Sequence, residues 1–147
     1  MAGRSRLEPL TGALVVDTGV LFAALDADDD AHHSCARLLA SDIVATIPAP
    51  VLVELDWLAR TRRVREAMPH LLRDILDGSV LVANLDREDY ERSLELIVQY
   101  DDLPLSLVDA SVIAIAERLE QDTIATLDRR HFSVVRPLHI DAFTLVP

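Results

Sequence analysis

A chain of 147 residues, half of them hydrophobic, is long enough to bury the core of one domain without disulfides, and its single cysteine, Cys35, cannot form an internal one. All 14 basic residues are arginine, and the absence of lysine excludes phosphate-loop NTPases, protein kinases and Schiff-base enzymes, which each need a lysine side chain. The formal net charge of −11 argues against non-specific binding to a phosphate backbone, so any nucleic acid must be bound locally.

The hydrophobic pattern predicts strands and helices in alternation along the chain. Apolar runs predict strands at about 13–16, 43–47, 80–84, 123–127 and 142–146. Helical spacing predicts helices at about 18–25, 31–40, 50–58, 64–77, 87–99 and 107–120. This order is typical of one α/β domain, residues 1–147, with a mostly parallel sheet covered on both faces and a flexible tail at 1–12.

The chain has neither a signal-peptide pattern nor an uncharged apolar run long enough for a membrane span. Together with the lone cysteine, this predicts a soluble, cytoplasmic protein.

Three of the most apolar stretches each contain a carboxylate near the middle: LVVDTGVLFAAL, VLVELDWLA and SLVDASVIAIA. Asp109 shares a helix face with Val112 and Ile113, and Glu54 shares one with Val51 and Leu58, so both acids are expected to face inward. A buried carboxylate without a partner is costly, and no arginine lies in these runs. A bound cation is one solution to that cost.

Two further aspartates follow predicted strands. Asp17 ends LVVD and Asp128 ends TIATLD, which places both at carboxyl strand ends, where α/β sheets bind their ligands. Four acids that converge in this way would form an oxygen-rich site of the kind that suits Mg²⁺.

Each aspartate also has a purely structural interpretation. Asp17 can cap the helix that follows it, and Asp128 can form an Asx-turn. Asp109 fits a capping box with Ser106. Glu54 has no such role, because it lies beyond the first turn of its predicted helix.

A tryptophan and a cluster of arginines are the other candidates for nucleic-acid contacts. Trp57 lies at helical spacing and is expected in the core, not as a platform for base stacking. The arginines that cluster on the sequence form either a solvated face or a contact surface for RNA or a protein partner; they are Arg60, Arg62, Arg63 and Arg65, with the pair Arg129 and Arg130 further on.

The order and context of the acids resemble the PIN domain, and specifically the VapC-type toxins of bacterial toxin–antitoxin pairs. The matching segments are VVDTGVLFAALD, PAPVLVELDWL, LSLVDASVIAIAERL and TIATLDRRHF, which span nearly the whole chain in the family's order. The resemblance implies a three-layer α/β/α sandwich around a five-stranded parallel sheet, with the acids pooled in one negatively charged pocket.

The resemblance also implies a site and an activity. The acids that match the family's catalytic positions are Asp17, Glu54, Asp109 and Asp128, with Asp17 and Asp109 as metal ligands. Thr18, Thr126 and His131 match frequent neighbours of the site, whereas Asp101 and Asp102 have no counterpart and are not assigned. The implied protein is an endoribonuclease toxin that uses Mg²⁺, or Mn²⁺ in its place, forms a homodimer and is inhibited by a small antitoxin.

Two alternatives remain open on the sequence. One is a catalytically inactive PIN-like module that only binds partners. The other is a different carboxylate–metal phosphate hydrolase, although an aspartyl phosphatase needs a DxD motif and a lysine, and this chain has Asp17-Thr-Gly19 and no lysine.

Overall fold

The computed structural model describes residues 14–147 and contains an α/β fold, as predicted. The elements are β1 (Leu14–Val16), α1 (Thr18–Leu25), α2 (His32–Leu39), β2 (Ala45–Pro48), α3 (Ala49–Thr61), α4 (Ala67–Asp77), β3 (Val80–Ala83), α5 (Arg87–Gln99), α6 (Leu107–Arg118), β4 (Thr123–Ala125), α7 (Arg129–Val134) and β5 (Thr144–Val146). The tail predicted at 1–12 lies outside the described residues.

The five strands form one parallel sheet in the order β3-β2-β1-β4-β5. The central strand β1 pairs with β2 on one side and with β4 on the other, and Val15 is opposite both Thr46 and Ile124. Because all strands run in the same direction, the residues after β1 and β4 emerge side by side at one edge of the sheet.

The sheet is covered on both faces. Consecutive strand residues point to opposite faces, and all three residues of β1 are buried, so helices must pack against each side. Helix α6 has more buried residues than any other described helix, with seven in succession from Ala110 to Ala116, and it packs on β1, β2, α3 and α5. The apolar runs that predicted a parallel sheet are therefore a consequence of burial on both faces.

Helix α5 is joined to α6 by two ion pairs, each with at least one buried or nearly buried partner. Arg92 donates to both oxygens of Glu117, at 2.7 and 2.9 Å, and Glu117 raises the pKa of the Arg92 guanidinium. Arg118 contacts Asp89, which is buried, at 3.0 Å. These charges lie within the helix layer and take no part in the pocket described below.

Two features differ from the sequence prediction. The six-residue helix α7 was not predicted, because DRRHFSV is too short and too polar to show a helical period. The prediction that Trp57 lies in the core is wrong: its exposed fraction is 65%. Helical spacing did identify α3, but it could not distinguish the buried face, which carries Val51, Leu55 and Ala59, from the neighbouring exposed face that carries Trp57.

None of the described helices is long and apolar enough to cross a membrane.

Candidate active site

The aspartates at the ends of β1 and β4 are tied together by one threonine. Asp17 follows β1, and its Oδ2 accepts a hydrogen bond from Thr126 Oγ1 at 2.9 Å. The same hydroxyl accepts from the Asp128 backbone N–H at 3.0 Å. Thr126 is buried, so this bridge fixes the relative position of the two strand ends. The neighbouring position of β1 and β4 in the sheet is what makes the bridge possible.

Two helices bring the other two acids to the same place. Asp109 lies in the first turn of α6, and Glu54 lies in the middle of α3. All four acids line one open pocket of about 520 Å³, whose remaining walls are Thr18, Gly19, Leu58 and Leu127. The structure therefore gathers all four predicted acids around one pocket. Leu58 lies one helical turn after Glu54, on the face that the sequence predicted the two residues to share.

The capping roles predicted for Asp17 and Asp109 are also present, and Asp128 caps a helix in place of the predicted Asx-turn. Asp17 caps α1 by accepting from the Thr18 N–H at 2.8 Å, and Asp128 caps α7 through the His131 N–H at 3.5 Å. Asp109 and Ser106 exchange two hydrogen bonds of 3.1 Å in a capping box. Capping thus fixes three of the four carboxylates at the pocket. Within the described residues Glu54 has no capping role.

Burial dominates the electrostatics of Asp17. The pKa of this carboxyl is raised from 3.8 to about 6, chiefly by desolvation and to a smaller extent by the nearby charges of Asp109 and Glu54. The hydrogen bonds from Thr18 and Thr126 act in the opposite direction but do not cancel the effect of burial. The cause is physical: a buried carboxylate beside two others lacks a compensating positive charge.

The donor set fits a hard divalent cation that keeps several waters. Among the described residues, no three histidine, cysteine, aspartate or glutamate side chains converge closely enough to form a complete protein cage for a metal. Mg²⁺ does not require one, because it typically binds through one or two carboxylates and retains water ligands. Thr18 Oγ1 is buried beside Asp17 and has no hydrogen-bond partner among residues 14–147, which leaves a polar group for such a water.

His131, which the resemblance to the PIN domain placed near the site, lies between two of the acids. Its Nδ1 is 3.0 Å from Asp128 Oδ2 and 3.3 Å from Asp109 Oδ2. The distances allow an ion pair when the ring is protonated, but the angles do not satisfy hydrogen-bond geometry. Spacing within α7 relates His131 to Asp128, whereas its approach to Asp109 depends on how α7 packs beside α6.

The arginines singled out on the sequence have different environments. Arg60 pairs with Asp56 at 3.0 Å, and Arg129 donates to the backbone carbonyls of Leu145 and Pro147. In the part of the chain that the structure describes, no carboxylate pairs with the exposed side chains Arg62, Arg63, Arg65 and Arg130.

Comparison with known proteins gives consistent matches. Residues 14–137 match the family model described as PIN domain. Ribonuclease VapC26 of Mycobacterium tuberculosis (strain ATCC 25618 / H37Rv) is 33% identical over 135 residues, which cover 91% of this chain and the whole of that protein.

Solved structures share the fold. The crystal structure of M. tuberculosis VapC20, described as a sarcin-ricin loop cleaving toxin, superimposes with a TM-score of 0.76 at 25% identity, covering 88% of this chain and 99% of VapC20. VapBC2 from Rickettsia felis, solved bound to a DNA fragment from its promoter, gives a TM-score of 0.65 at 17% identity, covering 92% of this chain and 99% of the matched chain.

Proposed function

The chain belongs to the PIN-domain family, among its VapC-type members, and we propose that it is a Mg²⁺-dependent endoribonuclease, the toxin of a type II toxin–antitoxin pair. One observation carries the proposal: four elements each supply one carboxylate to a single pocket. The match to the relative named a ribonuclease covers 91% of this chain and the whole of that protein, which supports RNA as the substrate.

In this proposal Asp17 and Asp109 bind the cation directly, and Glu54 and Asp128 complete the negative pocket. Thr126 holds the Asp17 carboxylate in place through the hydrogen bond of 2.9 Å, and Thr18 donates its N–H to the other oxygen. A bound Mg²⁺ or Mn²⁺ would supply activation of water and stabilisation of negative charge on the phosphate.

The pocket's charge explains why a cation is needed. Four carboxylates repel a phosphodiester, and the described pocket contains no arginine that would offset them. Attack by water and not by the ribose 2′-hydroxyl would leave a 5′-phosphate and a 3′-hydroxyl. Another carboxylate–metal phosphate hydrolase would use the same negative pocket and is the catalytic alternative. An inactive module that only binds partners is the non-catalytic alternative.

We also propose a small antitoxin as partner and a homodimer as the assembly. A solved structure with this fold, from Klebsiella pneumoniae, is described as a toxin–antitoxin complex. Helix α5 exposes an apolar stripe of Tyr90, Leu94 and Val98, at successive turns, which a second copy of the chain would cover.

The test is cleavage of RNA by the purified chain with Mg²⁺ and with excess EDTA. We expect cleavage only with the cation, and Asp17→Asn should lower the rate by about 100-fold or more, because it removes a charge on which cation binding depends. Asp101→Asn is the matched control, because this aspartate is exposed and lies outside the pocket. Undiminished cleavage in EDTA, or equal rates for both variants, would refute the proposed site.

A further inference from the structure

Trp57 is an exposed aromatic side chain for which the proposed chemistry gives no role. It is the only tryptophan of the chain, and 65% of it is exposed. Val53, one helical turn earlier, is 73% exposed, so the outer face of α3 presents a continuous apolar strip. A large aromatic ring left in water is unusual and indicates a binding surface more often than a packing defect.

The position of Trp57 connects it to the carboxylate pocket. It is three residues after Glu54 and one residue before Leu58, and both of those line the pocket. Residues three apart on a helix are surface neighbours, with Cβ atoms about 5–6 Å apart. Helical side chains generally lean toward the N-terminus of their helix, which for Trp57 is the turn that carries Glu54. Trp57 does not line the pocket but is the helical neighbour of two residues that do, which places it at the rim.

The positive charge on this part of the surface favours a polyanion as the ligand. Helix α3 ends at Thr61, and the next residues include Arg62, Arg63 and Arg65, which are exposed. None of the three pairs with a carboxylate among residues 14–147. In a chain of net charge −11, unpaired arginines that follow an exposed tryptophan by five to eight residues favour a ligand that carries both phosphates and bases.

We propose that Trp57 is a base-stacking platform for single-stranded RNA at the rim of the carboxylate pocket, with Arg62 and Arg65 contacting phosphates of the same strand. The inference rests on the proposed function, since the strand held here is the substrate that reaches the four acids. Stacking on an aromatic ring tolerates every base, so Trp57 would contribute affinity and placement without sequence preference.

Because Trp57 is the only tryptophan, the chain's own tryptophan fluorescence reports on this contact. A mixed-sequence single-stranded RNA of about 10 nucleotides, a length typical of such sites, is titrated into the full chain in EDTA, where no cleavage is expected. We expect saturable quenching of the emission. In parallel, anisotropy of the labelled RNA should show binding weakened about 10-fold by Trp57→Ala and far less by Trp57→Phe, which keeps an aromatic face.

Leu138→Ala is the matched control, because Leu138 is also exposed, at 73%, but lies after α7, where its N–H donates to Glu117 at the end of α6 opposite Asp109. It should leave RNA affinity unchanged. For the phosphate contacts, Arg62→Gln with Arg65→Gln should reduce the slope of log affinity against log salt by about 1.4, whereas Arg37→Gln, an exposed arginine on α2, should not.

The inference is overturned if RNA binds without quenching, if Trp57→Ala binds RNA as the wild type does, or if RNA does not bind. It is also overturned if Trp57→Ala leaves RNA binding intact and instead abolishes binding of a protein partner. Failure of the proposed function is a separate result. Saturable quenching without any cleavage in Mg²⁺ would refute the nuclease proposal and leave the proposed stacking site intact.

Discussion

Asp17 is both the N-cap of α1 and the one buried acid of the pocket. The cap stabilises the fold, whereas the buried charge destabilises it. A pKa raised from 3.8 to about 6 corresponds to about 3 kcal/mol of lost stability when the group is ionised at neutral pH. The site is therefore maintained at a cost to the fold, as is common where a pocket is built for a ligand.

We predict that Asp17→Asn stabilises the metal-free chain by about 1–2 kcal/mol at pH 7. Asparagine can still accept from the Thr18 N–H, but its amide must donate to Thr126 Oγ1, which removes part of the gain. Denaturant unfolding in EDTA measures the difference. Asp128→Asn is the comparison, because the Asp128 side chain is 45% exposed and asparagine caps helices equally well.

The stability difference between Asp17→Asn and the wild type should depend on pH, because the pKa of Asp17 is raised in the folded state. Between pH 3.8 and about 6 the folded state holds a proton on Asp17 that the unfolded state has lost. Stability from this group is thus fully present below pH 3.8 and is lost as the pH rises through about 6. The advantage of Asp17→Asn should disappear near pH 4. An Asp17→Asn chain that is less stable than the wild type at pH 7 would show that the cap outweighs the charge.

The four acids could be found in the sequence because each interrupts an apolar run or ends one. Trp57 could not be placed, since its spacing is equally consistent with the buried face of α3 and with the rim of the pocket. The resemblance to the PIN domain places His131 near the site, but its contact with Asp109 joins residues on different helices and has no signature in the sequence. Patterns of three or four residues carry no information about such contacts.

At the scale of elements, the Arg92–Glu117 ion pair between α5 and α6 is the clearest test of helix packing. The two side chains are 12% and 8% exposed, so removal of one partner leaves a charge in a poorly hydrated place. Arg87 and Glu91 form a similar pair on the surface of α5, with side chains 90% and 58% exposed.

We predict that Arg92→Met lowers the free energy of unfolding by about 3 kcal/mol, because Glu117 loses its partner. Arg87→Met should change it by no more than about 0.5 kcal/mol. Thermal and denaturant unfolding of both variants measures the contrast. Replacing Arg92 and Glu117 together by methionine should recover most of the loss. Equal effects of the two single variants would mean that the α5–α6 pair is as well hydrated as the surface pair.

The elements themselves were largely predictable, and the reason is their burial. Strands β1 and β4 are only three residues long, yet both read as apolar runs because helices cover both faces of the sheet. The order β3-β2-β1-β4-β5 has no signature in the residues and was not predicted, since the resemblance to the PIN domain implied only a sheet of five parallel strands. Helix α7 was missed because the Asp128 cap precedes a segment with no apolar period.

At the scale of the whole molecule, charge is separated between the pocket and its surroundings. The pocket contributes four of the acids of a chain with net charge −11, while the unpaired arginines after α3 lie outside it. RNA could therefore be held by the arginines and by Trp57, and its phosphate could reach the acids only with a divalent cation between them. This arrangement makes binding and cleavage separable.

The central claim is that the carboxylate pocket, with a bound divalent cation, hydrolyses RNA by attack of water. The most direct measurement is the chemistry of the product ends when a defined RNA is incubated with the wild-type chain in Mg²⁺. We predict 5′-phosphate and 3′-hydroxyl ends, so that the downstream fragments are substrates for a 5′-phosphate-dependent exonuclease. Fragments that resist the exonuclease and carry 2′,3′-cyclic phosphates would show that the ribose hydroxyl is the nucleophile and would contradict the account.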